Sequence, residues 1–164
     1  MHLGAASMLG TTGANASDNG VPENFDFLTY SNEDLKDVSD LGYTVHNLVV
    51  GNPSEVTEEE ILNTKRIFEE NSVIIGQTNG RYGGDLVNPD ETIRNSAIEF
   101  VKNMCNLTAK LDAPNTYLRP GSINPDGPWL PHEDNHKEEV FDRLVDSTRK
   151  ICKTAESEGV MLSL

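Results

Sequence analysis

An α/β fold with a parallel sheet is predicted by three observations. Stretches of strand and helix character alternate along the chain. One strand candidate, residues 73–76 (VIIG), is wholly apolar, as suits a strand covered on both faces. The later helix candidates are long enough to carry the chain from one parallel strand to the next. With 164 residues, 36% of them hydrophobic, the whole chain reads as a single domain with enough apolar material for a core.

The elements follow in order. Residues 3–9 are a strand candidate, and 11–24, rich in Gly, Asn, Ser and Thr, read as a long loop. Ser31, with Asp34 three residues on, caps a short helix that runs to about Leu41 and stops at Gly42. Residues 43–50 (YTVHNLVV) are β-rich and end at Gly51-Asn52-Pro53. Thr57 and Glu60 form a capping box that opens a helix through Ile61, Leu62 and Phe68. After the 73–76 strand, Asn88 is the expected cap of the third helix, with Pro89 in its first turn and Glu91 completing the box. Its apolar stripe is Ile93, Ala97, Phe100, Met104, Leu107 and Leu111. Residues 115–119 are a fourth main strand, broken by Pro120-Gly121. A Pro-rich loop leads to Asn135 as the next cap, with Glu138 in the box position. Phe141, Leu144, Thr148, Ile151 and Ala155 mark the buried face of the last helix. Gly159 ends it and 160–164 form a final strand.

This order fits an open doubly wound sheet or a β/α barrel. No G-x-G-x-x-G or P-loop follows any strand, and the Gly-rich 80–84 segment has neither spacing, so a nucleotide site is not indicated. Twenty-seven acidic against 13 basic residues leave a net charge of −14. Such a chain is repelled by phosphate backbones and anionic lipid, so no nucleic-acid or membrane partner is expected. Cys105 and Cys152 are too few for a disulfide scaffold and read as small core residues. The sequons at Asn15 and Asn106 are discounted because no secretory signal precedes them. No run approaches the roughly 18 apolar residues of a membrane span, and a cytoplasmic location is expected.

In a parallel sheet, residues just beyond the strands' C-terminal ends share one face. After the third main strand these are Gln77, Thr78, Asn79, Arg81 and Tyr82. After the fourth they are Arg119, Ser122, Asn124, Trp129, His132 and Asn135. Amides exchange hydrogen bonds with hydroxyls, Arg holds an anionic or carbonyl oxygen, and an indole face packs on a sugar's C–H groups. Arg119, Trp129, Gln77, Asn79 and His132 are therefore the candidate substrate-binding residues, against the plainer reading that they satisfy loop backbone. Arg81 reads rather as a neutraliser of neighbouring acids. His132-Glu133-Asp134-Asn135-His136 matches H-E-x-x-H, the zinc-peptidase signature, with Glu156 a conceivable third ligand. That chemistry needs both His on one helical face, and Pro128, Pro131 and the Asp-Asn pair disfavour a helix, so a chance match is the better reading. His46 reads as a buried strand histidine, and Glu58–Glu60 and Glu138–Glu139 as first-turn residues that suit the helix dipole.

Residues 118–136 (LRPGSINPDGPWLPHEDNH), 141–144 (FDRL) and 152–164 (CKTAESEGVMLSL), with 88–94 (NPDETIR), resemble the sugar phosphate isomerase/epimerase family of xylose isomerase-like TIM barrels. The resemblance runs from about Tyr43 to Leu164. It implies an incomplete parallel β/α barrel of about four βα units plus a fifth strand. It also implies a sugar or sugar-phosphate substrate and aldose–ketose isomerisation or ketose epimerisation, with a divalent metal (Mn, Mg or Co) held by carboxylates and a His on later strands. Proton transfer between adjacent carbons by paired Glu side chains would follow. In that family the first metal Glu comes directly after the stretch matching 159–164, so the resemblance assigns no metal ligand or catalytic residue to this chain, and none is expected to bind here. The related apurinic endonucleases use His residues after the second and third strands; here Gln77 and Asn79 stand at the third, and the acidic charge opposes DNA, which argues against that activity. Truncation would leave two unpaired strand edges, so the expectation is poor solubility alone or a homodimer covering them. The competing readings are a non-catalytic β/α binding or assembly module and the zinc peptidase.

Overall fold

The computed structural model describes residues 4–5, 31–80, 85–127 and 130–164. Among these residues five strands, β1 (Gly4–Ala5), β2 (Val45–Val50), β3 (Ile74–Gly80), β4 (Asn115–Tyr117) and β5 (Met161–Ser163), pair in the order of the sequence, each parallel to its neighbour. Four helices connect or precede them: α1 (Asn32–Asp40), α2 (Glu58–Glu70), α3 (Glu91–Lys110) and α4 (Glu138–Glu158). Sequential order without a reversal removes the switch point of a doubly wound sheet. What is left is an arc of a β/α barrel. The rest of the 3–9 strand candidate and the 11–24 loop lie outside the described residues.

The core lies between the sheet and the helices. Leu48 and Val50 of β2 meet Leu35 and Val38 of α1, Ile61, Ile67 and Phe68 of α2, and Met104 and Leu107 of α3. A second cluster joins Ala97, Ile98, Val101 and Cys105 of α3 to Leu118, Ile151 and Ala155, and Phe100 packs against both. Every buried side chain of β2 (His46, Leu48, Val50) is on this side, so the alternate residues line the opposite, inner face.

Local chemistry explains the helix starts. Ser31 and Thr57 each accept from the backbone of the residue three on, and Asp34 and Glu60 reach back to the cap nitrogens at 2.8 and 2.7 Å. The ends share one device: the N–H of Tyr43, Val73, Ala113 and Val160 reaches back to the carbonyl five residues earlier, at 3.2, 3.0, 3.0 and 2.9 Å. The residue just before each has positive φ: Gly42, Ser72, Asp112 and Gly159. Each helix thus turns into the following strand in the same way. The sequence reading found only the two glycines, because Ser and Asp do not announce a left-handed conformation.

Other expectations are corrected. α3 is capped by Asp90, whose carboxylate accepts from Thr92 and Ile93, while Asn88 lies two residues upstream and accepts from the Asp90 N–H. α4 starts at Glu138 behind Lys137, with no side-chain cap; Asn135 is engaged in the preceding loop. Ile93 and Phe141, placed on buried stripes, are 45% and 63% exposed. Ile93 lies in the first turn of α3, whereas the buried face of α4 runs through Val140, Ser147, Ile151 and Ala155, which leaves Phe141 one residue round the helix towards solvent. The 73–76 strand runs instead from Ile74 to Gly80, and Ile74 is 55% exposed rather than covered on both faces. Cys105 is buried in the α3–α4 core, which pushes its thiol up to about 11, but Cys152 is only half-buried. A register shift between His46 and Asn47 places an extra residue, Gly76, on β3; a Cβ there would stand 2.4 Å from Val45 Cγ1.

His46 is fully buried on the helix side of β2, its ring 6.3 Å from that of Phe68. Burial disfavours the imidazolium and holds its pKa below 6.5. The unfolded chain takes up this proton first as pH falls, so the stability linked to His46 is full above pH 6.5 and lost as pH drops towards the folded-state pKa. Denaturation midpoints measured at pH 8 and pH 5 should therefore differ less for His46→Leu than for the parent. An unchanged difference would remove His46 as the cause.

Candidate functional site

The inner face of the sheet is polar. Asn47 pairs in register with Gln77, Val49 with Asn79, Asn79 with Tyr117, and Tyr117 with Ser163. Gln77 Nε2 donates to Asn115 Oδ1 at 2.8 Å and to Ser163 Oγ at 2.6 Å, tying three strands together. Ser163 Oγ also reaches Asn115 Oδ1 at 3.1 Å, and Asn115 Nδ2 donates to the Gly76 carbonyl at 3.0 Å. Asn79 Nδ2 points to the Leu48 carbonyl at 3.4 Å. Gln77 and Asn79 are therefore strand residues of the barrel interior, not members of a loop beyond β3. The short apolar run ended the strand too early in the sequence reading, because polar residues facing a barrel interior look like the start of a loop. Asn47, Asn115 and Ser163 were missed. The two-residue spacing of Gln77 and Asn79 was the available signal.

Arg119 lies two residues beyond β4, half-buried, and lines a cavity of about 320 Å³ with Pro120, Ser122, Leu130, Pro131 and Asn135. The β4–α4 loop that forms this cavity is fastened by its own side chains. Asn135 Oδ1 accepts from the Ile123 N–H at 3.1 Å, Asn135 Nδ2 donates to Ser122 Oγ at 2.9 Å, and Asn124 Nδ2 donates to the Pro131 carbonyl at 2.8 Å. Asn135 is thus a loop staple, which is why it is not available to cap α4.

His132 is half-buried in the same loop, and its Nδ1 accepts from the Asp134 N–H at 3.1 Å. Residues 133–136 form turns and none of 132–136 is helical, so His132 and His136 do not share the helical face that the zinc-peptidase motif requires. Asp134 pairs instead with Lys137 at 2.9 Å, and that partner holds its carboxyl below the usual range. Trp129, Arg81 and Tyr82 lie outside the described residues. The structure thus brings Arg119 and His132 into one loop and puts Gln77 and Asn79 on the adjoining inner face.

A divalent ion of the kind the barrel family implies needs several hard oxygen or imidazole donors converging on one point. Among the described residues no three His, Cys, Asp or Glu side chains come together in that way. The inner-face donors are amides and hydroxyls, which do not fit such an ion.

Parallel strands in sequential order, helices on one side, a polar inner face and a stapled loop beyond the strand ends define a β/α-barrel protein. The chain belongs to the xylose isomerase-like TIM barrel family, whose sequence model matches residues 35–164. Solved structures with the same fold include an L-ribulose 3-epimerase (16% identity, TM-score 0.70, all of this chain and 49% of the other). A D-tagatose 3-epimerase-like protein is 15% identical, with TM-score 0.69, over all of this chain and 52% of the other. The D-psicose 3-epimerase of Clostridium cellulolyticum H10, solved with D-tagatose, is 21% identical, with TM-score 0.62, over 80% of this chain and 45% of the other. The chain spans about half the length of these structures. Comparison with curated proteins found no match. Among the described residues no helix is long and apolar enough to cross a membrane.

Proposed function

We propose that this chain carries the sugar-binding side of a ketose isomerase or epimerase site, with a sugar or sugar phosphate as ligand. The metal-holding carboxylates and histidine of that activity are contributed outside this arc of strands. The observation that supports the reading is the continuous row of amide and hydroxyl groups on the inner face (Asn47, Gln77, Asn79, Asn115, Ser163), leading to Arg119 beyond β4. Neutral amides and hydroxyls match the alternating donors and acceptors of a polyol, and a guanidinium holds a carbonyl, enediolate or phosphate oxygen. His132 and Trp129, in the same loop sequence, complete the candidate contacts. The structural likeness to sugar epimerases adds a substrate class to this geometry.

The test is titration with D-fructose, D-tagatose and their phosphates, followed by the fluorescence of the single Trp. Saturable binding is expected, and Arg119→Ala should weaken it at least tenfold, about 1.4 kcal/mol. Absence of binding, or equal affinity in the variant, would overturn the assignment. A metal-supplemented epimerisation assay on this polypeptide is expected to show no turnover, and robust turnover would sink the division of labour.

A further inference from the structure

A second cavity, of about 450 Å³, lies between the segment after β3 and the β4–α4 loop. Its lining includes Asp85, Asn88, Pro89, Ile123, Asn124 and Pro125. Ser122 lines both this cavity and the one at Arg119, so the two adjoin. Both fall within the roughly 300–1,000 Å³ typical of small-molecule sites.

The walls are held from behind. α4 crosses to the 3₁₀ turn Asp85–Val87, where fully buried Ser147 donates to the Leu86 carbonyl at 2.8 Å and Arg143 Nε to the Val87 carbonyl at 2.9 Å. Arg94 of α3 donates to the Asn88 carbonyl at 2.5 Å. On the facing wall, Asn124 is fixed by the Pro131 carbonyl and accepts from the Asp126 N–H, and Ser122 accepts from the Asn124 N–H and from Asn135. Asn88 accepts from the Asp90 N–H and donates to Asp85 Oδ1 at 3.3 Å. The polar side chains of the cavity are therefore engaged in shaping it, with one exception. Among the described residues Asp85 receives only that long bond, which leaves acceptor capacity on its carboxylate for a ligand.

We propose that this cavity is a subsite for a second, hydroxyl-bearing ring of an extended ligand whose ketose end lies at Arg119. The inference rests on the sugar-binding reading above and adds to it a substrate class larger than a monosaccharide. A carboxylate accepts from vicinal hydroxyls, and Pro89, Ile123 and Pro125 offer apolar surface to the ring's C–H groups. The fixed walls mean that little ordering accompanies binding.

Calorimetric titration of the whole chain with D-fructose and with lactulose, a ketose disaccharide, tests this. Lactulose is expected to bind at least fivefold tighter than fructose. Asp85→Ala should remove that gain while leaving fructose affinity unchanged, and Asp85→Asn, which keeps an acceptor oxygen, should retain part of it. Fructose binding without any gain for lactulose would overturn the subsite alone. So would an Asp85→Ala variant that weakens both sugars alike, since Asp85 would then act through loop shape. Failure of both sugars to bind the parent chain would overturn the subsite and the sugar-binding reading together.

Discussion

Ile151→Ala is expected to lower the unfolding free energy by about 2–5 kcal/mol, the range for emptying a large aliphatic site in a core that cannot collapse around the void. Ile151 is fully buried where α4 meets Ala97, Ile98, Val101 and Cys105 of α3 and Leu118 beyond β4, so its loss opens a cavity at a junction of three segments. For a chain of this length each kcal/mol corresponds to about 2–4 °C in the thermal midpoint. The control is Phe141→Ala on the same helix. The helical spacing of the sequence puts Phe141 on the same stripe, but it is mostly exposed, and its removal should stay within about 0.5 kcal/mol. Thermal or denaturant unfolding of the two variants decides between them. Equal losses would mean that α4 is rotated so that Phe141 shares the packed face with Ile151.

Thr78→Val and Thr108→Val should each cost about 1–3 kcal/mol, yet the double variant should cost clearly less than their sum. Thr78, Thr108 and Thr116 are fully buried between the sheet and α3. Thr108 Oγ1 donates to the Met104 carbonyl at 2.5 Å, so in its 2.6 Å contact with Thr78 Oγ1 it must be the acceptor. Removing the Thr78 hydroxyl leaves that oxygen without its donor. Removing the Thr108 hydroxyl strands the Thr78 O–H in an apolar layer. Replacing both substitutes two methyl groups of similar shape and leaves neither orphan. A four-member denaturation cycle measures the difference, and additivity within about 0.5 kcal/mol would show that the two hydroxyls are not coupled.

The candidate site was partly legible from sequence. Arg119 and His132 were found because Pro120-Gly121 and the prolines after it mark a loop beyond a strand. Gln77 and Asn79 were found as residues but assigned to the wrong element. Asn115 and Ser163 were passed over because, read along the chain, each is only a polar residue in a short strand. Their meaning arises when β3, β4 and β5 lie side by side and one glutamine amide spans 38 and 86 residues of sequence to reach them. Asp85 carried no motif, and its significance comes from the facing loop.

What the sequence by itself determined is the succession of elements. Capping boxes at Ser31 and Thr57, glycines at 42 and 159, and β-rich runs are local signals, and local signals act within a few residues. Together with the family resemblance they were enough for a parallel β/α barrel. What only the tertiary structure decided is which side of each element faces the core, where α3 and α4 begin, and which polar side chains meet. Those choices depend on contacts between residues far apart in the chain. A strand's inner and outer faces differ by one residue of register, and only the packed neighbours fix that register.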